Sequence, residues 1–315
     1  MNILITGGAG FIGSHLSRYL AGKGHKITIL DNFSNSSPSN IWDMLLNKQV
    51  RLVKGDVRDA KLINETTDGI ETIFHLAAQI HIDKSILEPK YTFDVNVLGT
   101  LNILETALKR DFKKIIFAST SEVYGTALKD NIDEDHPLNP QSPYAASKAA
   151  ADRLCHAYSK TYGMNVSIIR NFNTFGPFQK DTGYGSVIPI FIRRALENKP
   201  PIIYGDGKQT RDFMYIEDAI RAYDIVMNKD FDGALNFGSG RDITINDLAR
   251  LIVQLCGKDI APVHVESRTG EVMKLCADIS KSRSLGFEPR FTLEDGIKML
   301  IEWTRKYRFD EWKMG

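Results

Sequence analysis

The chain has 315 residues, 43% of them hydrophobic and 25% charged, enough to bury a sizeable core in one large domain with a smaller lobe. Its formal net charge is +1 with no long run of one sign, which argues against nucleic acid or an acidic membrane surface as a partner. Cys155, Cys256 and Cys276 lie far apart without metal-ligand spacing, so neither a disulfide framework nor a metal site is expected. The chain opens on Met1-Asn2-Ile3-Leu4-Ile5, a strand pattern rather than a signal peptide, and no run reaches the ~18 apolar residues of a membrane span. A soluble, cytoplasmic protein is the expectation.

Asn2 to Thr6 reads as a short apolar strand that runs into Gly7-Gly8-Ala9-Gly10-Phe11-Ile12-Gly13 and then into a helix with Ile12, Leu16, Tyr19 and Leu20 at core spacing. Strand, glycine turn and helix in that order bring backbone N–H groups and a helix N-terminus to a pyrophosphate. Glycines 8, 10 and 13 fit the dinucleotide pattern, and Gly7, Gly10 and Gly13 a three-spaced variant; Phe11 and Ile12 sit within the same turn. The next strand, Lys26 to Leu30, ends on Asp31, eighteen residues after Gly13, where a carboxylate accepts ribose hydroxyls. Asn32-Phe33-Ser34-Asn35 contains no Arg or Lys to receive a 2′-phosphate, so the expected cofactor is NAD, with Asn32 and Ser34 beside it.

A third strand, Val50 to Lys54, leads to Asp56 and Val57, suited to the adenine edge and face. A fourth, Glu71 to Leu76, leads to Ala77 and Ala78, small enough for backbone to approach the dinucleotide closely. Tyr91 to Arg110 reads as one long helix with Val97, Leu101, Leu104 and Leu108 on one side. Asn96 near its start, counted with the cofactor residues, is either buried polar glue or a brace for the catalytic loop.

Lys114 to Ala118 reads as a buried parallel strand, so Thr120, Ser121 and Glu122 leave its carboxyl end, the edge where such sheets bind ligands. After a polar loop, Asp130 to Pro143, the Ala-rich helix Tyr144 to Tyr162 sets Tyr144 and Lys148 four apart on one face. A free phenol titrates near ~10, and an adjacent ammonium favours the phenolate, making Tyr144 a candidate general base with Thr120 sharing the proton. Val166 to Arg170 is the sixth strand. Strands alternating with helices predict an α/β, doubly wound parallel sheet over 1–170, to which 213–237 returns. From Asn171 the character changes: a long loop to Gly185 and the segments 171–212 and 238–315 form a smaller lobe that lines a substrate cleft.

Together these residues resemble the extended short-chain dehydrogenase/reductase family, in particular its nucleotide-sugar epimerases, dehydratases and decarboxylases. The resemblance spans nearly the whole chain and rests on Thr6 to Gly13, His75-Leu76-Ala77-Ala78, Asn96-Val97-Leu98-Gly99-Thr100, Tyr144 with Lys148, and Arg211-Asp212-Phe213-Met214-Tyr215-Ile216. It implies a Rossmann fold with a C-terminal substrate-binding lobe, bound NAD, and a nucleoside-diphosphate sugar as substrate. Asn173 and Val187 would hold the substrate, and Arg211 and Arg268 would clamp its diphosphate. Helices 91–110 and 144–162 would pair with their copies in a homodimer. In such enzymes Tyr144 takes the O4 proton while C4 gives hydride to the nicotinamide, with Lys148 lowering the phenol pKa and holding the nicotinamide ribose. Glu122 is then a carboxylate for the C5 proton, which makes 4,6-dehydration the leading expectation, although Ser121 is a poor acid for O6. The tail from Arg268 to Lys281 looks more like that of 4-epimerases, so 4-epimerisation is the alternative and decarboxylation the third. A non-catalytic NAD-binding sensor is the rival of another class.

Overall fold

The computed structural model describes residues 1–110, 112–181, 185–267 and 272–310, with side chains to Tyr307. In chain order the first half comprises β1 (Asn2–Thr6), α1 (Phe11–Gly22), β2 (Lys26–Asp31), α2 (Trp42–Leu46), β3 (Val50–Lys54), α3 (Ala60–Thr66), β4 (Thr72–His75) and α4 (Ile82–Leu87). It continues with α5 (Pro89–Phe93), a π-helical turn (Asp94–Leu98), α6 (Gly99–Ala107), β5 (Lys114–Thr120), a 3-10 turn (Ser121–Tyr124), α7 (Pro143–Tyr162) and β6 (Val166–Asn171). Then come β7 (Asn173–Phe175), α8 (Val187–Leu196), β8 (Ile202–Tyr204), β9 (Thr210–Tyr215), α9 (Ile216–Asn228) and β10 (Gly233–Phe237). The chain closes with β11 (Asp242–Thr244), α10 (Ile245–Leu255), β12 (Val263–Val265), β13 (Lys274–Leu275), α11 (Ser280–Ser284) and α12 (Leu293–Thr304).

Seven strands in the order β10-β6-β5-β4-β1-β2-β3 pair in parallel throughout. The inner strands β1, β2, β4, β5 and β6 are largely buried on both faces, so they read as apolar runs instead of alternating patterns, while edge strand β3 stays partly exposed. Residues of α1 and α9 pack with one face in a cluster that includes Ile5, Ile29, Ile116 and Ile169; residues of α3, α6 and α7 pack with the other around Leu4, Ile73, Phe117 and Ile168. Strand order reverses between β1 and β4, and the crevice outside such a switch point is where doubly wound sheets bind ligands.

Two expectations need correction. The helix over 91–110 is interrupted by the π turn, which adds a residue to one turn and rotates everything after it. Its buried face is therefore Val95, Asn96, Gly99, Thr100, Ile103, Leu104 and Ala107, while Leu98 and Leu108 are exposed and Val97 and Leu101 only half-buried. Likewise only α9 and β10 of segment 213–237 join the main sheet. β9 stays in the lobe, where it pairs with β7, β11 and β13. The presumed loop after β6 thus holds a strand of its own. Among the described residues, no helix is long and apolar enough to cross a membrane and no cluster of ligating side chains suits a metal ion.

Candidate active site

A cleft of about 1780 Å³ runs along the carboxyl edge of the sheet, under the lobe. At its β1 end Gly7 adopts φ +70, and a Cβ there would lie 2.8 Å from Ala77 N across the switch point. A Cβ on Gly13 would lie 2.1 Å from Gly7 O, so only glycine lets α1 start this close to the turn. The N-terminus of α1 has no capping side chain and no acidic residue in its first turn, leaving its N–H groups to an anion. The Asp31 carboxylate is buried and accepts from Ala9 N at 3.0 Å, Phe33 N at 2.9 Å and Ser36 Oγ at 2.7 Å. It fastens the glycine turn to the loop after β2 while still lining the cleft. The residues present therefore fit a dinucleotide: a side-chain-free cradle for the pyrophosphate, with a carboxylate beyond it.

Gly7, Gly10, Phe11, Ile12, Gly13, Asp31, Asn32, Ser34, Val57, Leu76, Ala77 and Ala78 all line the cleft. Asp56 and Asn96 do not. Asp56 is engaged by Arg58 at 2.9 Å and Asn32 Nδ2 at 2.8 Å, and the Arg58 hydrogen bonds hold its carboxyl down to about 2. Asn96 is a brace: its Oδ1 accepts from Gln79 N at 2.8 Å, and its Nδ2 donates to Gln79 O and Ser147 Oγ, both at 2.9 Å. It ties the segment after β4 to α7 from within the π turn.

Beneath this brace His75 is buried between two hydroxyls. Thr100 spends its proton on Asn96 O at 2.6 Å, so His75 Nε2–H donates to Thr100 at 3.0 Å and Nδ1 accepts from Thr6 at 2.7 Å. Burial and the nearby Lys148 cation push the imidazole down to about 3, which keeps it neutral.

The reacting end is assembled from β5 and α7. Thr120 caps the 3-10 turn, accepting from Glu122 N at 3.3 Å, and its side chain hydrogen-bonds the Tyr144 phenol. Ser142 caps α7 through Ala145 N at 3.1 Å, and Ser85 Oγ accepts from Tyr144 N at 3.0 Å, fixing the first turn. Thr120, Ser121, Glu122, Tyr144 and Lys148 all line the one cleft. The electrostatics differ from expectation. Burial and the Glu122 carboxylate push the Tyr144 phenol up, opposed by Thr120, and Lys148 is not among the groups that move it. Lys148 Nζ instead donates to Ala118 O at 2.5 Å and lies 4.2 Å from the centre of the Phe117 ring. Burial brings that ammonium down to about 8. The helical spacing brought both residues to the cleft but left their charges to different partners.

On the lobe side Asn173, Val187 and Arg211 line the cleft, with Asn173 Nδ2 donating to Asp212 O at 3.4 Å and Arg211 Nη1 to Thr210 O at 2.9 Å. Arg268 lies outside the described residues. Sequence reasoning missed Arg193 and Arg194 of α8, which also line the cleft and whose basic last turn was the available signal. It also missed Lys180, whose Nζ donates to Asn35 Oδ1 at 2.6 Å and so joins the lobe to the loop after β2. Under the reacting residues a buried ion pair links α7 to β6: Arg170 Nε meets Asp152 Oδ2 at 2.9 Å, both side chains almost fully buried. Ser119 donates to Asp152 at 2.8 Å, Arg170 Nη1 to the Tyr124 hydroxyl at 2.7 Å, and Tyr124 to Asn236 at 2.7 Å.

A doubly wound sheet with a glycine cradle at its switch point and a Thr-Tyr-Lys group at the end of β5 and the start of α7 defines an extended short-chain dehydrogenase/reductase. Comparison with known proteins narrows this. Residues 4–300 match the family described as GDP-mannose 4,6 dehydratase. The chain is 36% identical to the UDP-N-acetyl-alpha-D-glucosaminuronate decarboxylase of Bacillus cytotoxicus, covering 98% of each protein. It is similar to the crystal structure of UDP-glucose 4-epimerase from Thermotoga maritima with UDP-glucose, at TM-score 0.93 and 35% identity over 97% of this chain and 99% of that one. The NAD complex of a dTDP-glucose 4,6-dehydratase from Streptomyces venezuelae also superposes at TM-score 0.93, with 33% identity over 99% of this chain and 98% of that one. The chain belongs to the GDP-mannose 4,6-dehydratase family, NAD-dependent enzymes that dehydrate, epimerise or decarboxylate nucleotide sugars.

Proposed function

We propose that this enzyme is a 4,6-dehydratase acting on a nucleoside-diphosphate hexose. The observation that carries the reading is the Glu122 carboxylate, close enough to the Tyr144 phenol to raise its pKa and lining the same cleft. For C4 oxidation alone a carboxylate beside the base is a handicap, because it opposes the phenolate. It gains a purpose when a second proton must be removed. Bound NAD supplies a hydride acceptor for C4 and, later, the hydride donor for C6. Tyr144 removes the O4 proton, with Thr120 holding its hydroxyl. The C4 ketone acidifies C5–H, Glu122 takes that proton, and the C6 hydroxyl leaves as water with a proton passed through Ser121 or the Glu122 carboxyl. With that hydride at C6 and a proton returned to C5, the product would be a 4-keto-6-deoxy sugar.

Weighing the product tests this: incubation with UDP-, GDP-, dTDP- and CDP-hexoses is expected to give one whose mass is lower by one water. Glu122→Gln is expected to slow water loss by about 10²-fold or more while transient NADH absorbance from C4 oxidation persists. An unaffected dehydration rate rejects the role of Glu122. The second reading is 4-epimerisation. It draws on Ser121, a hydroxyl where water loss is better served by a carboxylic acid, and a product of unchanged mass with inverted C4 would replace the first reading.

The lobe of 171–212 and 238–315 is assigned to the nucleotide sugar, with Asn173, Val187, Arg211 and Arg268 toward the substrate. Arginine forks suit a diphosphate through paired charge-assisted hydrogen bonds. A homodimer is part of the same proposal: Leu98, at the end of the π turn, and Leu108, just after α6, are 49% and 39% exposed. Such apolar surface is suited to burial against a second copy. A monomeric mass by light scattering would reject the dimer.

A further inference from the structure

Tyr144 is the second residue of α7, and the N–H groups in the first turn of a helix have no partner within it. Here each is accounted for. Pro143, at the first position, has none to offer, Ala145 N donates to Ser142 Oγ at 3.1 Å, and Ala146 N reaches Ser142 O at 2.8 Å. Tyr144 N is the one served by another element: it donates to Ser85 Oγ of α4 at 3.0 Å. Ser85 is fully buried, and its hydroxyl proton is spent on Ile82 O at 2.6 Å, so the oxygen that meets Tyr144 acts as an acceptor. The carbonyl of Tyr144 is held as well. Ser147 Oγ donates to Tyr144 O at 2.7 Å and receives Asn96 Nδ2 at 2.9 Å.

Starting the helix does not require the Ser85 bond, because Ser142 already caps the turn and Pro143 follows it, the ordinary opening of an α-helix. What Ser85 adds is direction. The phenol lies at the far end of its side chain, and a tilt of the first turn by about 10–20° takes a reacting group beyond the ~0.5 Å that a productive arrangement tolerates. Thr120 meets the phenol from β5, so Tyr144 is held at its hydroxyl by one element and at its N–H by another. The run leading into α4, Ile80 to Asp83, lines the cleft, which sets this second hold beside the reacting end. We propose that Ser85 is a positioning residue for the general base: its bond to Tyr144 N sets the pitch of the first turn of α7 and so the aim of the phenol at the substrate hydroxyl. The inference rests on Tyr144 as the base and holds whether dehydration, epimerisation or decarboxylation follows.

The test is a double-mutant cycle on the NAD-loaded full-length protein. Single-turnover NADH absorbance is followed in the wild type, Ser85→Ala, Tyr144→Phe and the double variant, with whichever of the UDP-, GDP-, dTDP- and CDP-hexoses gives product. Ser85→Ala is expected to slow C4 oxidation about tenfold, the size of one hydrogen bond to a buried group, with NADH affinity and the KM for the nucleotide sugar unchanged. In the Tyr144→Phe background the same substitution is expected to have no further effect, because no phenolic proton is left to aim. A Ser85→Ala enzyme as fast as the wild type, beside a slow Tyr144→Phe, overturns the proposal alone. So does an equal slowing in both backgrounds, which a purely structural role produces, or a loss confined to NADH affinity or KM. A fully active Tyr144→Phe removes the base assignment and the proposal with it. If Ser85→Ala does not fold, Ser85→Cys, alike in shape with a far weaker acceptor, is read in the same way.

Discussion

Tyr144→Phe is expected to lower turnover by roughly 10²- to 10⁴-fold, the usual contribution of a positioned general base, while leaving the fold and dinucleotide binding intact. The substitution deletes one oxygen. That oxygen is the atom hydrogen-bonded to Thr120 and the one whose proton burial and Glu122 both retain. Deprotonation would be eased by positive charge brought into the cleft, as an oxidised nicotinamide bound there would supply. The same electrostatics give the sign of the pH dependence. A phenol pushed up by burial and, to a lesser extent, by the neighbouring Glu122 carboxylate places the limb of C4 oxidation on the alkaline side, and Glu122→Gln, which removes the negative charge, should move that limb part of the way to lower pH. Stopped-flow absorbance of NADH follows the step directly. Full activity in Tyr144→Phe would remove the basis of the mechanism.

The second large effect concerns stability. Asp152→Ala is expected to cost about 3–5 kcal/mol of unfolding free energy, because it leaves the Arg170 guanidinium buried without its carboxylate. Among the described residues most other ion pairs lie at the surface and contribute about 0–1 kcal/mol. Replacing both partners by Leu and Met should recover much of the loss, as burying two apolar chains removes the stranded charge. The consequence reaches activity. Asp152 also receives Ser119, one residue before Thr120, and Arg170 adjoins Asn171 and bonds Tyr124, two residues after Glu122. Urea titration of the wild type and the two variants measures the effect, and a loss below about 1 kcal/mol for Asp152→Ala would show the pair to be dispensable.

Much of this architecture was legible because local sequence and tertiary structure agree. The apolar runs of β1, β2 and β5, the glycines whose added Cβ would strike backbone, and Tyr144 at the start of an Ala-rich helix follow from periodicity and sterics alone. What escaped depends on partners distant in the chain. Asp152 and Arg170 are paired only once α7 lies on β6. Asp56 was expected to meet the adenine, yet Arg58, two residues on, takes its carboxylate. Asn96 was read as a cofactor residue or a brace, and its three bonds to Gln79 and Ser147 make it a brace. The Tyr144–Lys148 spacing foretold proximity to one cleft and not which charge each would feel, because Ala118 and Glu122 lie on another element.

The extra residue wound into the helix at Asp94–Leu98 makes the facing of α6 a question of chain length. Deleting one residue there would restore ordinary winding and swing α6 by about 100° about its axis. Leucines now offered to solvent would be carried toward the sheet and the small residues that permit close packing, Gly99 and Thr100, carried away from it. One residue more or less at this turn thus decides which side chains of α6 the core receives, so an indel here would be felt as a repacking of the whole helix rather than as a local change.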